Sequence, residues 1–197
     1  MEAWCFSMSN STSKFSIRAN SSHNQSIGLL GGSFNPPHSG HLQISVEAMK
    51  KLNLQQIVWL VTPQNPHKQI KHYLTIAKRV EMAKEITRKY NYISISDIES
   101  KLRSRYTYDT VTHLNRIHPN TKFIWIMGAD NIPLMHKWYR WHELLSIIEF
   151  AVFDREPYSY AIDTSRLSAY CAKLHFFRIR RDPTSSTMIR SMATNFL

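Results

Sequence analysis

Short apolar runs alternate with amphipathic stretches along the chain from residue 27 onwards. The apolar runs have the length and composition of buried strands. They cover residues 27–31, 57–61, 92–98, 123–127, 150–153 and 174–179. Between these runs, apolar residues recur every three or four positions, as they do on one face of a helix. The predicted helices cover residues 42–52, 76–86, 110–114, 141–148 and 188–193.

The alternation of strands and helices predicts the fold class. Strands that are separated by helices form a parallel sheet covered on both faces. We therefore expect an α/β protein with a Rossmann-like, doubly wound parallel sheet. Ligands of such sheets bind at the carboxyl ends of the strands, near the point where the strand order reverses. We expect the functional site at that edge.

Residues 1–26 differ in composition from the rest of the chain. Serine and asparagine dominate there, and the apolar residues are scattered without a period. A segment of this kind buries too little apolar surface to fold. We therefore predict a disordered tail, or a start codon placed too early, followed by one domain over residues 27–197.

The charge of the chain indicates the chemistry of its partners. It carries 25 Lys and Arg against 14 Asp and Glu, a formal net charge of +11. Such a positive field attracts phosphates, whether on nucleotides, nucleic acid or anionic lipid. Cys5 and Cys171 lie far apart and provide neither a disulfide framework nor a metal-ligand spacing. The lack of a disulfide framework favours a reducing cytosol, so we expect a cytoplasmic protein. No run approaches the roughly 18 apolar residues of a membrane span.

A string rich in glycine and proline, GGSFNPPHSGH, occupies residues 31–41 between the first strand and the first helix. Glycines let the backbone approach a ligand closely, and prolines stiffen the loop. His38 and His41 are three residues apart where the helix begins, so both can face one side of it. Helix amides and two imidazoles would then surround an anion. The alternatives are a plain turn with helix-capping histidines, or a zinc pair that lacks a convincing third ligand.

A second string, TSSTMIR at residues 184–190, places hydroxyl groups where the last helix starts. Hydroxyls and backbone amides at a helix N-terminus can hold a phosphate chain. Arg190 adds a planar guanidinium that is permanently charged. The alternative is a plain Ser/Thr helix cap.

Taken together, these strings resemble a known superfamily. Residues 31–41 resemble the GG[ST]F[DN]PxHxGH string of the nucleotidyltransferases with the [HT]xGH signature, and residues 185–190 resemble their SSTxxR string. Three segments between them resemble the bacterial nicotinate-nucleotide adenylyltransferases. These are PHK at residues 66–68, YTYDT at residues 106–110, and GAD at residues 128–130 with Trp138. Asn35 stands where the family more commonly has Asp, residues 154–156 depart from the family pattern, and the chain stops at Leu197 soon after the SSTxxR string.

The resemblance implies a reaction in NAD biosynthesis. The phosphate of nicotinate mononucleotide attacks the α-phosphorus of ATP, which yields nicotinate adenine dinucleotide and pyrophosphate. Mg²⁺ would be carried by the ATP phosphates, and we expect no metal site made by the protein. We also expect no nucleic acid or membrane partner, and a homo-oligomer is left open.

The resemblance also assigns roles to individual residues. Catalytic roles fall to His38, His41 and Arg190. The residues implied to bind ATP are Gly31, Gly32, Ser33, Phe34, His38, His41, Ser185, Ser186, Thr187 and Arg190. Those implied to bind the mononucleotide are Lys68, Thr107, Asp130 and Trp138. Among the latter, Asp130 would contact a ribose, and Thr107 and Trp138 would form the nicotinate pocket.

Three other functions remain as alternatives. One is a different adenylyltransferase, such as a pantetheine-phosphate enzyme, although the segments at residues 106–110 and 128–138 argue against it. Another is a basic RNA-binding module, which would show aromatic and basic residues interleaved on strands. The last is a decayed enzyme that folds without activity, given the short C-terminus.

Overall fold

A computed structural model of the protein describes residues 25–63, 73–102, 104–155 and 172–179. The strands are β1 (Gln25–Gly32), β2 (Gln56–Val61), β3 (Ile93–Ser96), β4 (Thr121–Gly128), β5 (Glu149–Arg155) and β6 (Leu174–Ile179). The α-helices are α1 (Ser39–Lys51), α2 (Ile76–Thr87), α3 (Ile98–Leu102), α4 (Thr107–Ile117) and α5 (Trp141–Ile147). A 3-10 helix over Ala129–Lys137 directly follows β4.

The strands form one parallel sheet in the order β3-β2-β1-β4-β5-β6. The chain first builds outward from β1 to β3 and then crosses back to place β4 on the other side of β1. The strand order therefore reverses between β1 and β4, which is where parallel sheets of this kind bind ligands.

The core lies in two layers, one on each face of the sheet. One layer packs α3, α4 and α5 against the strands through residues such as Ile98, Leu114 and Leu144. The other layer packs α1 and α2 through residues such as Ile44 and Ala83. Helices thus cover both faces, and the predicted doubly wound α/β fold is confirmed.

Several element boundaries differ from the predictions by one to three residues. The predicted strand over residues 92–98 is wrong at its end, because β3 stops at Ser96 and Ile98 begins α3. The hydroxyl of Ser96 accepts a hydrogen bond from the N–H of Ile98 at 3.3 Å. A local bond of this kind competes with the strand ladder and turns the chain into the helix. In addition, β1 begins at Gln25, paired with Thr121 of β4, two residues before the predicted start of the domain.

Two other predicted features, the tail up to residue 24 and the closing helix over residues 188–193, lie outside the described residues. Within the described ranges, no helix has the length and apolar character needed to cross a membrane.

Candidate active site

The loop over residues 31–38, called the β1 loop below, leaves the sheet through two glycines in crowded positions. A Cβ on Gly31 would lie 2.5 Å from the indole of Trp125 on β4, and one on Gly32 would lie 3.3 Å from the ring of Phe34. Only glycine fits at Gly31 without moving that indole. The glycines of the motif therefore let the loop pack closely against its neighbours.

Phe34 fixes the conformation of the β1 loop. Its φ of 45° lies in the left-handed region, which residues with side chains rarely adopt. Its ring is buried and stacks on Trp59 of β2, with centroids 4.8 Å apart and planes 8° apart. This buried stack offsets the backbone strain. Because the ring lies in the core, we expect any contact of Phe34 with ATP to come from its backbone.

The two histidines lie together at the start of α1. His38 is the N-cap, and its Nδ1 accepts a hydrogen bond from the N–H of Gly40 at 3.2 Å. The Nδ1 of His41 accepts one from the N–H of His38 at 3.2 Å, and the two ring centroids are 3.8 Å apart. Since both Nδ1 atoms are acceptors, each neutral ring carries its proton on Nε2. The capping alternative is thus correct for the backbone, and capping also aligns both rings.

His41 is held in an aromatic surrounding that the sequence did not indicate. Its ring centroid lies 4.8 Å from that of Phe34 and 5.8 Å from that of Trp59. Trp59 Nε1 donates to the hydroxyl of Ser45 at 2.8 Å, and that hydroxyl donates to the carbonyl of His41 at 2.9 Å. Ring packing and this chain of bonds fix the position of the imidazole before any ligand binds.

A second group of residues surrounds the start of α4. Thr107 is the first residue of the helix, and the N-cap Tyr106 provides no side-chain cap bond. The ring of Tyr139 contacts those of Tyr106 and Tyr108, with centroids 4.5 Å and 6.3 Å away. These contacts bring the start of α4 against the chain that follows Trp138. We call residues 106–108 and 138–140 the aromatic side.

Asp130 and Trp138 flank the 3-10 helix that follows β4. A Cβ on Gly128 would clash with a carboxylate oxygen of Asp130. This clash explains the glycine of the GAD string. Asp130 is exposed, whereas Trp138 is half-buried and meets Trp125 edge-on, with centroids 6.4 Å apart. Trp138 therefore combines packing against the core with a ring that still reaches the surface.

Both groups lie at the carboxyl edge of the sheet. The β1 loop follows β1, the 3-10 helix follows β4, and these two strands are neighbours at the reversal of strand order. The fold therefore places the paired histidines beside Asp130 and the aromatic side. Across the described ranges, no group of three or more His, Cys, Asp or Glu side chains is arranged to hold a metal ion.

Comparisons with known proteins identify the family. The profile of the family described as "Cytidylyltransferase-like" matches residues 29–192. A protein of Bradyrhizobium sp. (strain ORS 278) named "Probable nicotinate-nucleotide adenylyltransferase" is 44% identical over 134 residues, which cover 68% of this chain and 69% of that one. One of Ruegeria sp. (strain TM1040) with the same name is 43% identical over 129 residues, covering 66% and 67%. The chain belongs to the nicotinate-nucleotide adenylyltransferases of the cytidylyltransferase-like family.

Solved structures agree on the fold. The nicotinic acid mononucleotide adenylyltransferase of Plasmodium falciparum complexed with APC has a TM-score of 0.65 at 21% identity, covering 85% of this chain and 83% of that one. The same enzyme complexed with NaAD has a TM-score of 0.64 at 22% identity and the same coverage. The family resemblance predicted from the motifs is confirmed.

Some predicted site residues lie outside the described part of the chain. They are Lys68, Ser185, Ser186, Thr187 and Arg190. The described ones fall into two sets, with Gly31, Gly32, Ser33, Phe34, His38 and His41 in the β1 loop and at the start of α1, and Thr107, Asp130 and Trp138 across the edge. The motif positions alone did not indicate the roles of Trp59 and Ser45, which support His41 from β2 and α1.

Proposed function

We propose that this chain transfers the adenylyl group of ATP to nicotinate mononucleotide and thereby forms nicotinate adenine dinucleotide and pyrophosphate. As a nicotinate-nucleotide adenylyltransferase it acts in NAD biosynthesis. The observation that carries the proposal is the pair of adjacent imidazoles, His38 and His41, whose ring centroids lie 3.8 Å apart at the N-terminus of α1. Cationic or N–H-donating groups at a helix N-terminus suit a phosphate chain.

The reaction brings two anions together. An oxygen of the mononucleotide phosphate forms a bond to the α-phosphorus of ATP, and the bond from that phosphorus to the oxygen that joins it to the β-phosphorus breaks. The electron pair leaves with pyrophosphate. No nucleophilic side chain is needed, so catalysis consists of alignment and neutralisation of charge.

In this proposal, His38 and His41 neutralise phosphate charge next to the β1 loop. Their Nδ1 atoms hold the backbone, so each Nε2–H is the group with which a ring can donate to a phosphate oxygen. His41, whose ring is packed against those of Phe34 and Trp59, is the better candidate for the charge that develops in the transition state. A donor that is fixed in advance costs no reorganisation when the reaction occurs.

The outer phosphates are assigned to residues beyond the described part of the chain. Ser185, Ser186, Thr187 and Arg190 would hold the β- and γ-phosphates, and Lys68 would add a further cation. Mg²⁺ would bridge the polyphosphate and needs few protein ligands of its own. A cytoplasmic location is a further expectation, which rests on the cysteine pattern of the sequence, and a homo-oligomer is left open.

The aromatic side would bind the acceptor. The first amides of α4, at and after Thr107, can donate to the carboxylate of nicotinate, and the ring of Trp138 can stack on the pyridine. The exposed carboxylate of Asp130 can accept hydrogen bonds from a ribose hydroxyl. With these contacts the acceptor would lie at the same edge of the sheet as the histidine pair.

The test is an assay with ATP labelled at the α-phosphorus. With nicotinate mononucleotide as acceptor, we expect the label in nicotinate adenine dinucleotide and an equal amount of unlabelled pyrophosphate. Parallel reactions with phosphopantetheine and without acceptor serve as controls. Label that remains in ATP, or that moves to phosphopantetheine, would contradict the proposal.

A further inference from the structure

Arg79 is a buried cation that connects three separate segments of the carboxyl edge. It lies in the first turn of α2 and is 1% exposed. Its Nη1 donates to the carbonyl of Ser33 in the β1 loop at 2.6 Å and to the carbonyl of Thr62 after β2 at 2.8 Å. Its Nε donates to the carbonyl of Leu74, just before α2, at 3.1 Å.

Within the described ranges, no carboxylate pairs with the buried charge of Arg79. Its hydrogen-bond partners in the described ranges are carbonyls, and the ring of Tyr73 lies 4.7 Å from its guanidinium carbon. Burial lowers the pKa of the guanidinium, although arginine stays charged in proteins. Burying a charge costs folding free energy, so we expect Arg79 to have a role beside the β1 loop other than packing.

Backbone geometry supplies that reason. The C=O and the N–H of a trans peptide point in opposite directions. Because Arg79 holds the carbonyl of Ser33, the N–H of Phe34 points away from Arg79. The carbonyl of Gly32 accepts from the N–H and the hydroxyl of Thr62, at 3.0 Å and 3.2 Å. The N–H of Ser33 is therefore turned away from β2.

Two successive carbonyls are thus held on the inside of the β1 loop, and the amides that follow them face outward. The concavities in which successive N–H groups bind anions contain one left-handed residue, and the φ of Phe34 lies in that region. Neither Phe34 nor Ser33 needs its side chain for this arrangement. The arrangement depends on donors from β2 and α2, with Arg79 providing the contact to Ser33.

We propose that Arg79 is a positioning residue that sets the β1 loop so that its outward amides meet the phosphates of ATP. The proposal rests on the proposed function, because it takes the polyphosphate as the ligand of the β1 loop. Arg79 would not touch ATP itself. It would act through the Ser33 carbonyl, and its positive charge one peptide away would strengthen the field at the phosphates.

The first test compares Arg79→Lys with the control Lys78→Met. Lys78 is the preceding residue of α2 and pairs on the surface with Glu81 at 2.9 Å. A lysine at position 79 keeps the charge but loses the planar fork that reaches several carbonyls. Because misplaced groups cost up to about 10²-fold, we expect kcat to fall by roughly 10- to 100-fold, with an unchanged KM for the mononucleotide and a Tm lowered by the lost buried hydrogen bonds. The control should match the wild type in all three.

Calorimetry with α,β-methylene ATP separates this proposal from the proposed function, because it needs no acceptor and no turnover. We expect Arg79→Lys to weaken binding of the analogue by about tenfold, because misplaced amides of the β1 loop would lose hydrogen bonds to the charged phosphates. If the wild type binds the analogue but never turns over nicotinate mononucleotide, the proposed function fails while this inference stands. A folded Arg79→Lys protein with wild-type kcat and analogue affinity would overturn the inference.

A second variant covers the case in which Arg79→Lys does not fold. Thr62→Val removes the hydroxyl that holds the carbonyl of Gly32 but keeps the backbone bond to it. We expect it to weaken binding of the analogue about threefold, since one neutral hydrogen bond is lost. Wild-type affinity in this variant would contradict the account of how the β1 loop is held.

Discussion

The β1 loop and the aromatic side are built in opposite ways, although both lie at the carboxyl edge of the sheet. Phe34 and Arg79 are each 1% exposed, and His38 is buried as well. On the aromatic side, Tyr106 is 45% exposed and Tyr139 is 49% exposed. One half of the site is therefore fixed by the interior of the protein, and the other half is a surface.

This difference corresponds to two tasks. Groups that neutralise charge in a transition state work best when they are desolvated and fixed in advance. Aromatic rings that recognise a flat substrate need a face that is open to the solvent from which the substrate arrives. We therefore expect changes behind the β1 loop to lower turnover, and changes on the aromatic side to weaken binding of the acceptor.

The largest effect should come from His41→Ala. If His41 stabilises charge that forms at the α-phosphorus, its loss should lower kcat by about 10² to 10⁴ with little change in the KM for ATP. Steady-state kinetics measures both constants. His113→Ala, at a half-buried position on α4, is the matched control and should leave them unchanged.

The capping bond of His41 requires a second variant. His41→Asn keeps an oxygen that can accept from the backbone while it removes the imidazole. The melting temperature separates helix capping from catalysis, because His41→Asn should retain the Tm of the wild type and still lose turnover. Wild-type kinetics in both variants would show that His41 only caps the helix.

The next largest effect is that of Glu99 on the pH dependence of stability. Glu99 lies in α3 and contacts α4, the helix that begins at the aromatic side. The side chain is 2% exposed, and its Oε1 accepts from the hydroxyl of Thr110 in α4 at 3.1 Å. Burial raises the pKa of this carboxyl to about 7, against an ordinary value of 4.5, although the bond from Thr110 acts in the opposite direction. Glu99 therefore stays protonated in the folded protein over a pH range in which the unfolded chain releases the proton.

The sign of the pH dependence follows from this difference. As the pH rises from 4.5 to about 7, only the unfolded state gains by losing the proton, so the free energy of unfolding falls over that range. Glu99→Gln lacks this fall, and the two proteins should diverge by on the order of 3 kcal/mol between pH 4.5 and pH 8. Urea unfolding at both pH values measures it, with exposed Glu85→Gln as the control. Parallel stability curves for wild type and Glu99→Gln would contradict the buried, protonated state.

Trp138→Ala should have a smaller effect that is confined to the acceptor. Loss of a stacked ring costs about 1–3 kcal/mol per base, so the KM for the mononucleotide should rise by roughly 10- to 100-fold. Nicotinate and nicotinamide mononucleotides should suffer alike, because stacking is indifferent to the ring substituent. The KM for ATP should not change. A loss confined to kcat would indicate that Trp138 acts on the chemistry or the fold instead.

The sequence predicted the features that repeat locally. The strand and helix periods predicted the parallel sheet, and the GGSFNPPHSGH string placed two histidines at the start of α1, where the structure has them. The 3-10 helix was not predicted because Ala129–Lys137 contains Pro133 and follows neither regular period. The start of α3 was missed because it depends on a local hydrogen bond, which the hydroxyl of Ser96 accepts from the N–H of Ile98.

The supports of the site were harder to predict, because they join residues far apart in the chain. Arg79 and Ser33 are separated by 46 positions, and no local period reports such a contact. One signal was nevertheless present. Arg79 lies on the same helix face as Ile76, Val80 and Ala83, and a charge within an apolar stripe indicates a buried role.

The measurement that tests the central claim most directly is the ratio of kcat/KM for nicotinate mononucleotide to that for nicotinamide mononucleotide in the wild-type protein. Amides at the start of α4 can donate two hydrogen bonds to a carboxylate, whereas a carboxamide turns its NH₂ group against one of them. An unpaired buried donor costs about 1–3 kcal/mol, and loss of a charge-assisted bond adds to this. We predict a preference for nicotinate mononucleotide of about 10² or more. Equal turnover of the two mononucleotides would contradict the proposed acceptor pocket, and turnover of neither would contradict the proposed function.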